Sequence, residues 1–531
     1  MTLRQVLLVL HALCLGGLIA PFALGYTYSD RLATRPSLYP VAVADQVAQP
    51  VPRPRRTIVV VLDGLGYEDA QGMRAAQRLR ERGQCWKTDV GPLPMSRPVY
   101  GVVSTGVEQD RGGALSNDAT TPHGAVSLWE IARAAGLTVA AVSELSWWQD
   151  LFPRGFTSYL MPPRPANYFA LLPRADLALV HPVYIDETGH QAGAGSAAYR
   201  AAVGRADDEL SGLLDSLDLS RDLIVLTADH GHSLGGGHGG TQERVAKVLT
   251  CFAGRGVQKR SEAMNRRMIT LAPALTLLQG LHFPPGMRAG DDDLDALWEL
   301  ADPSAFPAGY LPERRQAVAR FRQANQAAVR RFDAASGGSW QAFYDDARQK
   351  WKLRGLLLLL LFGPVVALHA HGHRHLYRTG GELAGLRFGL LWLIGCAAAA
   401  YILQVTLRGS FDMSSVNHRL SFIRFTLLLG AAVTTLGLLL HLFIRRSLRA
   451  LAWDLGMLSL CGTLLCTLHP LVFGWHLGFP VPPPPVYFFP YFGALFLGAL
   501  NVVALLFCGF GWASQGWLKL SGTLERTRQD V

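Results

Sequence analysis

The stretch TIVVVLDGLG, residues 57–66, is a continuous apolar, β-branched run that stops at Asp-Gly. A run apolar on both faces belongs inside a parallel sheet, and Asp-Gly marks the turn that ends it. The same grammar returns in LTVAAVSEL, ADLALVHPVYID and DLIVLTADHG, with QCWKTDV as a further strand. Each stops at a polar, ligand-type residue. Between them, EDAQGMRAAQRLRERG (closed by Gly83), SLWEIARAAG and AAYRAAVGRADDELSGLLDSL read as helices. This alternation predicts an α/β fold with a mostly parallel sheet sandwiched by helices. In such sheets ligands gather beyond the carboxyl ends of the strands, where Asp63, Asp186, Asp229 and His230 fall.

Composition adds a second part to the chain. Of 531 residues, 50% are apolar and 17% charged, too apolar for an ordinary soluble protein. The excess is concentrated in residues 6–26, behind Arg4, and in five later runs near 356–370, 388–407, 420–443, 451–473 and 486–512. Each approaches the ~20 residues that cross ~30 Å of hydrocarbon. The expected layout is an N-terminal anchor (1–26), an external domain (27–300), a helical connector (301–352), a five-helix bundle (353–515) and a tail (516–531). Basic loops at 371–387 and 444–449 and a basic tail place both termini in the cytoplasm, and the large domain in the periplasm or another extracytoplasmic space. The net charge of +10 then sits largely on membrane-flanking loops and on residues 313–352, which does not call for nucleic acid. Cys85 and Cys251 are the external domain's cysteines. Buried free thiols are the default there, and a disulfide is the alternative in an oxidising compartment.

Four separated stretches carry candidate metal ligands: Asp63 in VLDGLG, Asp186 and His190 in DETGH, Asp229 and His230 in ADHGH, and His238 in GGGHGG. One strand-end Asp alone is more often a helix cap. Three carboxylates and three imidazoles together suit zinc-like or manganese-like ions. Six ligands exceed the need of one tetrahedral ion and suit a pair that clamps both oxygens of a displacement at phosphorus. The glycines around His238 let its loop fold back toward the same place. His232 stays unassigned, as an outer partner of the site or a solvent-facing residue. A nucleophile is expected at Ser96, in GPLPMSRPVYGVVSTG, where a hydroxyl opens a helix near a cation. Arg97 can pair with a phosphate or with a nearby carboxylate. Asn117, in GGALSND, can donate its amide to a phosphoryl oxygen.

Taken in order, Asp63, Ser96, Asp186, His190, Asp229, His230 and His238 resemble the alkaline phosphatase superfamily, in its type I phosphodiesterase/nucleotide pyrophosphatase branch. The resemblance covers residues 57–287. It implies one ion on Asp63, Asp229, His230 and the nucleophile's oxygen, a second on Asp186, His190 and His238, and a covalent intermediate on Ser96. STGVEQDRGGALSN resembles the family's segment leading to a substrate-binding Asn, which supports Asn117. The MSRP turn and the close DHG…GGHGG spacing resemble glycosylphosphatidylinositol ethanolamine phosphate transferases, whose layout also joins an anchor, an external domain and a multispan bundle.

Two function classes follow. The first is a membrane-bound phosphodiesterase, phosphatase or phosphoethanolamine-type transferase acting on a membrane lipid or lipid-linked glycan. The second is a transporter or envelope-assembly protein whose external domain only binds ligand. That class calls for charged residues within the spans, and few are present. A sulfatase is disfavoured because Tyr100 stands where the serine form of the sulfatase motif needs Arg.

Overall fold

A computed structural model describes residues 51–320, apart from a few positions within 113–120, Thr241 and residues 261–263 and 288–290, together with scattered positions further on. The expected anchor, most of the connector, nearly all of the bundle and the tail lie outside the described residues. Among the described residues, no helix is long and apolar enough to cross a membrane.

Eight strands form one sheet: β1 (Thr57–Val61), β2 (Gly83–Asp89), β3 (Val139–Ser143), β4 (Ser158–Leu160), β5 (Leu177–His181), β6 (Leu223–Thr227), β7 (Lys247–Gly254) and β8 (Met264–Arg267). Their order is β4-β3-β5-β1-β6-β7-β2-β8. Pairing is parallel except where β7 meets β6 and β2, so β7 alone runs against the rest. The 57–66 run forms the centre, as its sequence requires. Val59 lies opposite Leu179 on one side and Val225 on the other, and every residue of β1 is buried. β3, β5 and β6 are buried throughout in the same way.

Helices cover both faces. Leu128–Ala134 opens on a capping box between Ser127 and Glu130. Ala197–Asp215 opens on Ser196, whose side chain accepts from the Tyr199 N–H, and buries Tyr199, Val203, Ala206, Leu210 and Leu214 along one stripe.

Local structure departs from the sequence reading in three places. EDAQGMRAAQRLRERG is two helices, Tyr67–Ala70 and Arg74–Arg82; Gly83 closes the second, as expected, and also begins β2. A Cβ at Gly83 would sit 1.9 Å from the Phe252 carbonyl oxygen, so close strand pairing demands the glycine. The strand expected over ADLALVHPVYID ends at His181, where Pro182 removes a donor, and Tyr184–Ala192 is helical. Cys85 and Cys251 are not free thiols: they face each other in register across β2 and β7 and form a disulfide.

The Arg74–Arg82 helix follows Met73, which has no side chain to cap it. Its cap comes from the neighbouring long helix. The buried Asp207 carboxylate accepts from the Arg74 N–H at 3.0 Å and the Ala75 N–H at 2.8 Å. Charged acceptors of this kind contribute about 1.5–3 kcal/mol. Asp207→Ala is therefore expected to lower the thermal unfolding midpoint of the domain by several degrees, while Asp208→Ala, at the exposed neighbour, leaves it nearly unchanged. Calorimetry of the two variants checks this.

Candidate metal centre

Connectivity brings the ligand residues to one edge of the sheet. Asp63 follows β1, Asp229 and His230 follow β6, and Asp186 and His190 stand one turn apart on the helix after β5. Gly64 makes the convergence possible. Its φ is +79°, and a Cβ there would lie 2.7 Å from the Asp186 Cα. Its N–H donates to Asp229 Oδ1 at 3.1 Å, and its carbonyl accepts from the Tyr199 hydroxyl at 2.6 Å.

Three overlapping groups of ligand atoms result. Asp63, Asp229 and His230 offer atoms all within 4.8 Å of one another, and so do Asp186, His230 and His238. A third such set is Asp186, His190 and His232. Ser96 is the first residue of the Ser96–Thr105 helix, and its Oγ lies 3.3 Å from His230 Nε2. Every metal-ligand candidate named from the sequence, and Ser96 with them, is thus in one cluster. His232, unassigned there, is fully buried, which excludes the solvent-facing alternative.

The cluster fits divalent cations on its own chemistry. Asp63 Oδ1 and Asp229 Oδ2 are buried oxygens with no hydrogen-bond partner, each 3.3 to 3.6 Å from His230 Nε2. A buried carboxylate oxygen without a donor is costly unless a cation faces it. The imidazoles are aimed to match. His230 Nδ1 lies 3.2 Å from the Gly231 carbonyl, and His238 Nδ1 lies 3.0 Å from the Pro94 carbonyl. A carbonyl only accepts, so Nδ1 carries the proton and Nε2 turns a lone pair toward the carboxylates.

Electrostatics point the same way. Burial, and then the negative charge of Asp186, raise the Asp63 carboxyl well above the usual carboxylate range. Burial and the charge of Asp63 push Asp229 up to about 7. Burial also acts to raise Asp186, but hydrogen bonds from His190 and His232 prevail and hold it well below the ordinary value. Burial lowers both His230 and His238, keeping them neutral, which is the form that binds metal.

Sequence reasoning missed the residues behind Asp63. The Tyr100 hydroxyl donates to Asp63 Oδ2 at 2.6 Å, and His181 Nε2 lies 3.0 Å from the same oxygen. Ser143 Oγ is 2.8 Å from His181 Nδ1. Burial pushes His181 down to about 4, so it is neutral. With its proton on Nε2 it donates to Asp63 Oδ2, while the Ser143 hydroxyl donates to the Leu145 carbonyl at 3.0 Å. The sequence did carry a signal in the histidine at the end of the ADLALVH run, but a single strand-end His is more often structural.

Arg97 and Asn117 meet beside Ser96. Asn117 Oδ1 accepts from the Arg97 N–H at 3.0 Å, so the side-chain amide keeps its NH2 donors for another acceptor. Of the two partners expected for Arg97, the structure contains the carboxylate. The guanidinium bonds Asp150 Oδ2 at 3.0 Å and lies 4.7 Å above the Trp147 ring.

At a pH above the value of about 7 to which Asp229 is pushed, Asp229→Asn removes a buried negative charge from beside that of Asp186. In metal-free protein it is expected to raise the unfolding temperature, because like charges no longer face each other. With saturating zinc it is expected to lower that temperature relative to wild type, because a ligand is gone. Scanning fluorimetry with and without chelator reads this change of sign.

Residues 139–235 match the family model described as type I phosphodiesterase / nucleotide pyrophosphatase. The mouse protein described as glycosylphosphatidylinositol ethanolamine phosphate transferase 3, catalytic subunit, is 23% identical over 279 residues, 44% of this chain. The match spans only about a quarter of that relative's length (25%). Among solved structures, murine ectonucleotide pyrophosphatase / phosphodiesterase 5 is similar at 13% identity, covering 46% of this chain and 100% of that one with a TM-score of 0.38. A 2-O GAG sulfatase is similar at 14% identity, covering 44% of this chain and 72% of that one with a TM-score of 0.36. Over residues 139–235 the chain is thus similar to the type I phosphodiesterase / nucleotide pyrophosphatase family.

Proposed function

We propose that the chain is a membrane-bound, metal-dependent phosphoryl-group enzyme that works through a covalent phospho-serine at Ser96. The observation that carries this reading is the place of the Ser96 hydroxyl. Its Oγ lies 3.3 Å from His230 Nε2, beside the open oxygens of Asp63 and Asp229 and at the start of a helix.

Asp63, Asp229 and His230 would hold one divalent ion, and Asp186, His190 and His238 a second. The mixed nitrogen and oxygen donors suit zinc, with manganese as the alternative. Bound there, two ions supply positive charge to the entering and leaving oxygens of a displacement at phosphorus.

The chain's own groups do the rest. Ser96 Oγ gives up its proton and bonds to phosphorus as the P–O bond to the leaving alcohol breaks, and that alcohol departs protonated. A second hydroxyl then attacks the same phosphorus, loses its proton, and Ser96 regains its hydroxyl. Asn117, with its carbonyl held by the Arg97 N–H, turns its NH2 donors to a phosphoryl oxygen. Arg97, fixed by Asp150 and Trp147, adds a cation on the same rim.

Water as the second hydroxyl gives a phosphodiesterase or phosphatase. A lipid or glycan hydroxyl gives a phosphoethanolamine-type transferase. A lipid or lipid-linked glycan substrate accords with the mouse relative's description and with six apolar runs in this chain. In this reading six spans hold both termini in the cytoplasm and the catalytic domain outside it, at the membrane surface where a headgroup is presented. Phosphates of nucleic acid are not the target, because the excess positive charge belongs to the membrane-flanking segments.

Ser96→Ala is expected to lower turnover of a generic phosphodiester by about 10³-fold or more while leaving metal content near wild type. Activity and elemental analysis on one preparation check both halves. Turnover kept in Ser96→Ala would sink the nucleophile assignment. Mass spectrometry of a trapped Ser96 adduct then separates the outcomes: bare phosphate for a monoesterase, phosphoethanolamine for a transferase.

A further inference from the structure

His232 lies among the metal-ligand candidates but differs from them in how its proton is placed. It is fully buried, and its Nε2 is 2.8 Å from Asp186 Oδ1. Its Nδ1 is buried with no hydrogen-bond partner. His230 and His238 are the reverse: each rests Nδ1 on a backbone carbonyl and turns Nε2 toward the cluster. If His232 bound an ion through Nε2, its proton would sit on Nδ1, stranded in the interior, where an unpaired donor is costly. With its only acceptor at Nε2, that nitrogen is the one that carries the proton.

The fold makes room for this ring. Gly189 stands on the Tyr184–Ala192 helix between Asp186 and His190. A Cβ at Gly189 would lie 2.3 Å from His232 Cδ2 and 2.6 Å from Nε2. His190 packs edge-on against the His232 ring, with centroids 4.9 Å apart. The glycine therefore admits an imidazole against the helix turn that carries both Asp186 and His190.

We infer that His232 is a positioning residue for the second ion: its Nε2–H pins Asp186 Oδ1, and Gly189 is the gap that lets it reach. Asp186 is then held with Oδ2 toward His190, 3.3 Å from its Nε2. This rests on the two-ion reading above. Partners of this kind orient a ligand without touching the metal, and losing one typically costs about 10–100-fold in metal affinity.

Cobalt(II) is the probe. The full chain in detergent, stripped with chelator, is titrated while visible absorption and calorimetry count ions and affinities. Wild type is expected to bind two. His232→Asn, whose amide falls short of the Nε2 position, is expected to weaken one of them by about 10–100-fold. His232→Gln, whose amide N–H reaches that position, is expected to bind both within a few-fold of wild type. Gly189→Ala is expected to weaken the same ion but to add nothing in a His232→Asn background, as coupled neighbours do. Circular dichroism confirms that each variant is folded. His232→Asn with two wild-type affinities overturns the proposal. So does His232→Gln as weak as His232→Asn, because the imidazole itself would then be a ligand. A wild-type chain that binds one cobalt overturns the two-ion reading, and this inference with it.

Discussion

The structure turns on one electrostatic constraint. Asp63, Asp186 and Asp229 are brought together in the interior, and two of their oxygens have no donor. Among the described residues no lysine or arginine answers them within this cluster; imidazoles do. Three like charges confined in a low-dielectric site are unfavourable unless cations bind among them. The hydrogen bonds around the cluster are therefore best read as orientation. Tyr100 and His181 hold one oxygen of Asp63, Gly64 and the His230 N–H hold one oxygen of Asp229, and His232 holds one oxygen of Asp186. In each case the other oxygen is left toward the imidazoles. The same pattern recurs on all three carboxylates.

The sheet supplies the rigidity this needs. Asp63 and Asp229 stand just beyond adjacent parallel strands, β1 and β6, whose residues are wholly buried. Asp186 and His190 come from a helix, one turn apart, so their spacing is fixed by the helix itself. Gly64 locks the two sources together, because any side chain there would collide with the Asp186 backbone.

Much of this was legible in the sequence. The buried strands were readable because runs such as TIVVV and LIVLT admit no exposed face. Asp63 and Asp229 were readable because each ends such a run. Other features were not, for definite physical reasons. YIDETGHQA reads as the tail of an apolar run, and only Pro182 hints that the strand has ended and a helix begins. The cap on the Arg74–Arg82 helix comes from Asp207, far away in the chain, and no local pattern encodes it. Tyr100 reads as one more apolar helix residue, and its hydroxyl gains meaning only once Asp63 is placed against it. His232 could be sorted from its neighbours only by what lies beside each ring nitrogen. The disulfide depends on the register of β2 against β7, which pattern alone does not set.

The lone reversal in the sheet has an effect on the chemistry. Had β7 run with its neighbours, the chain leaving β6 would have crossed a whole layer to re-enter the sheet from the opposite end, and only its first few residues could have stayed near the ligand cluster. Because β7 turns straight back against β6, Asp229, His230 and His238 all stay at that rim. Two imidazole donors and the acidic residue before them can share one uninterrupted arc.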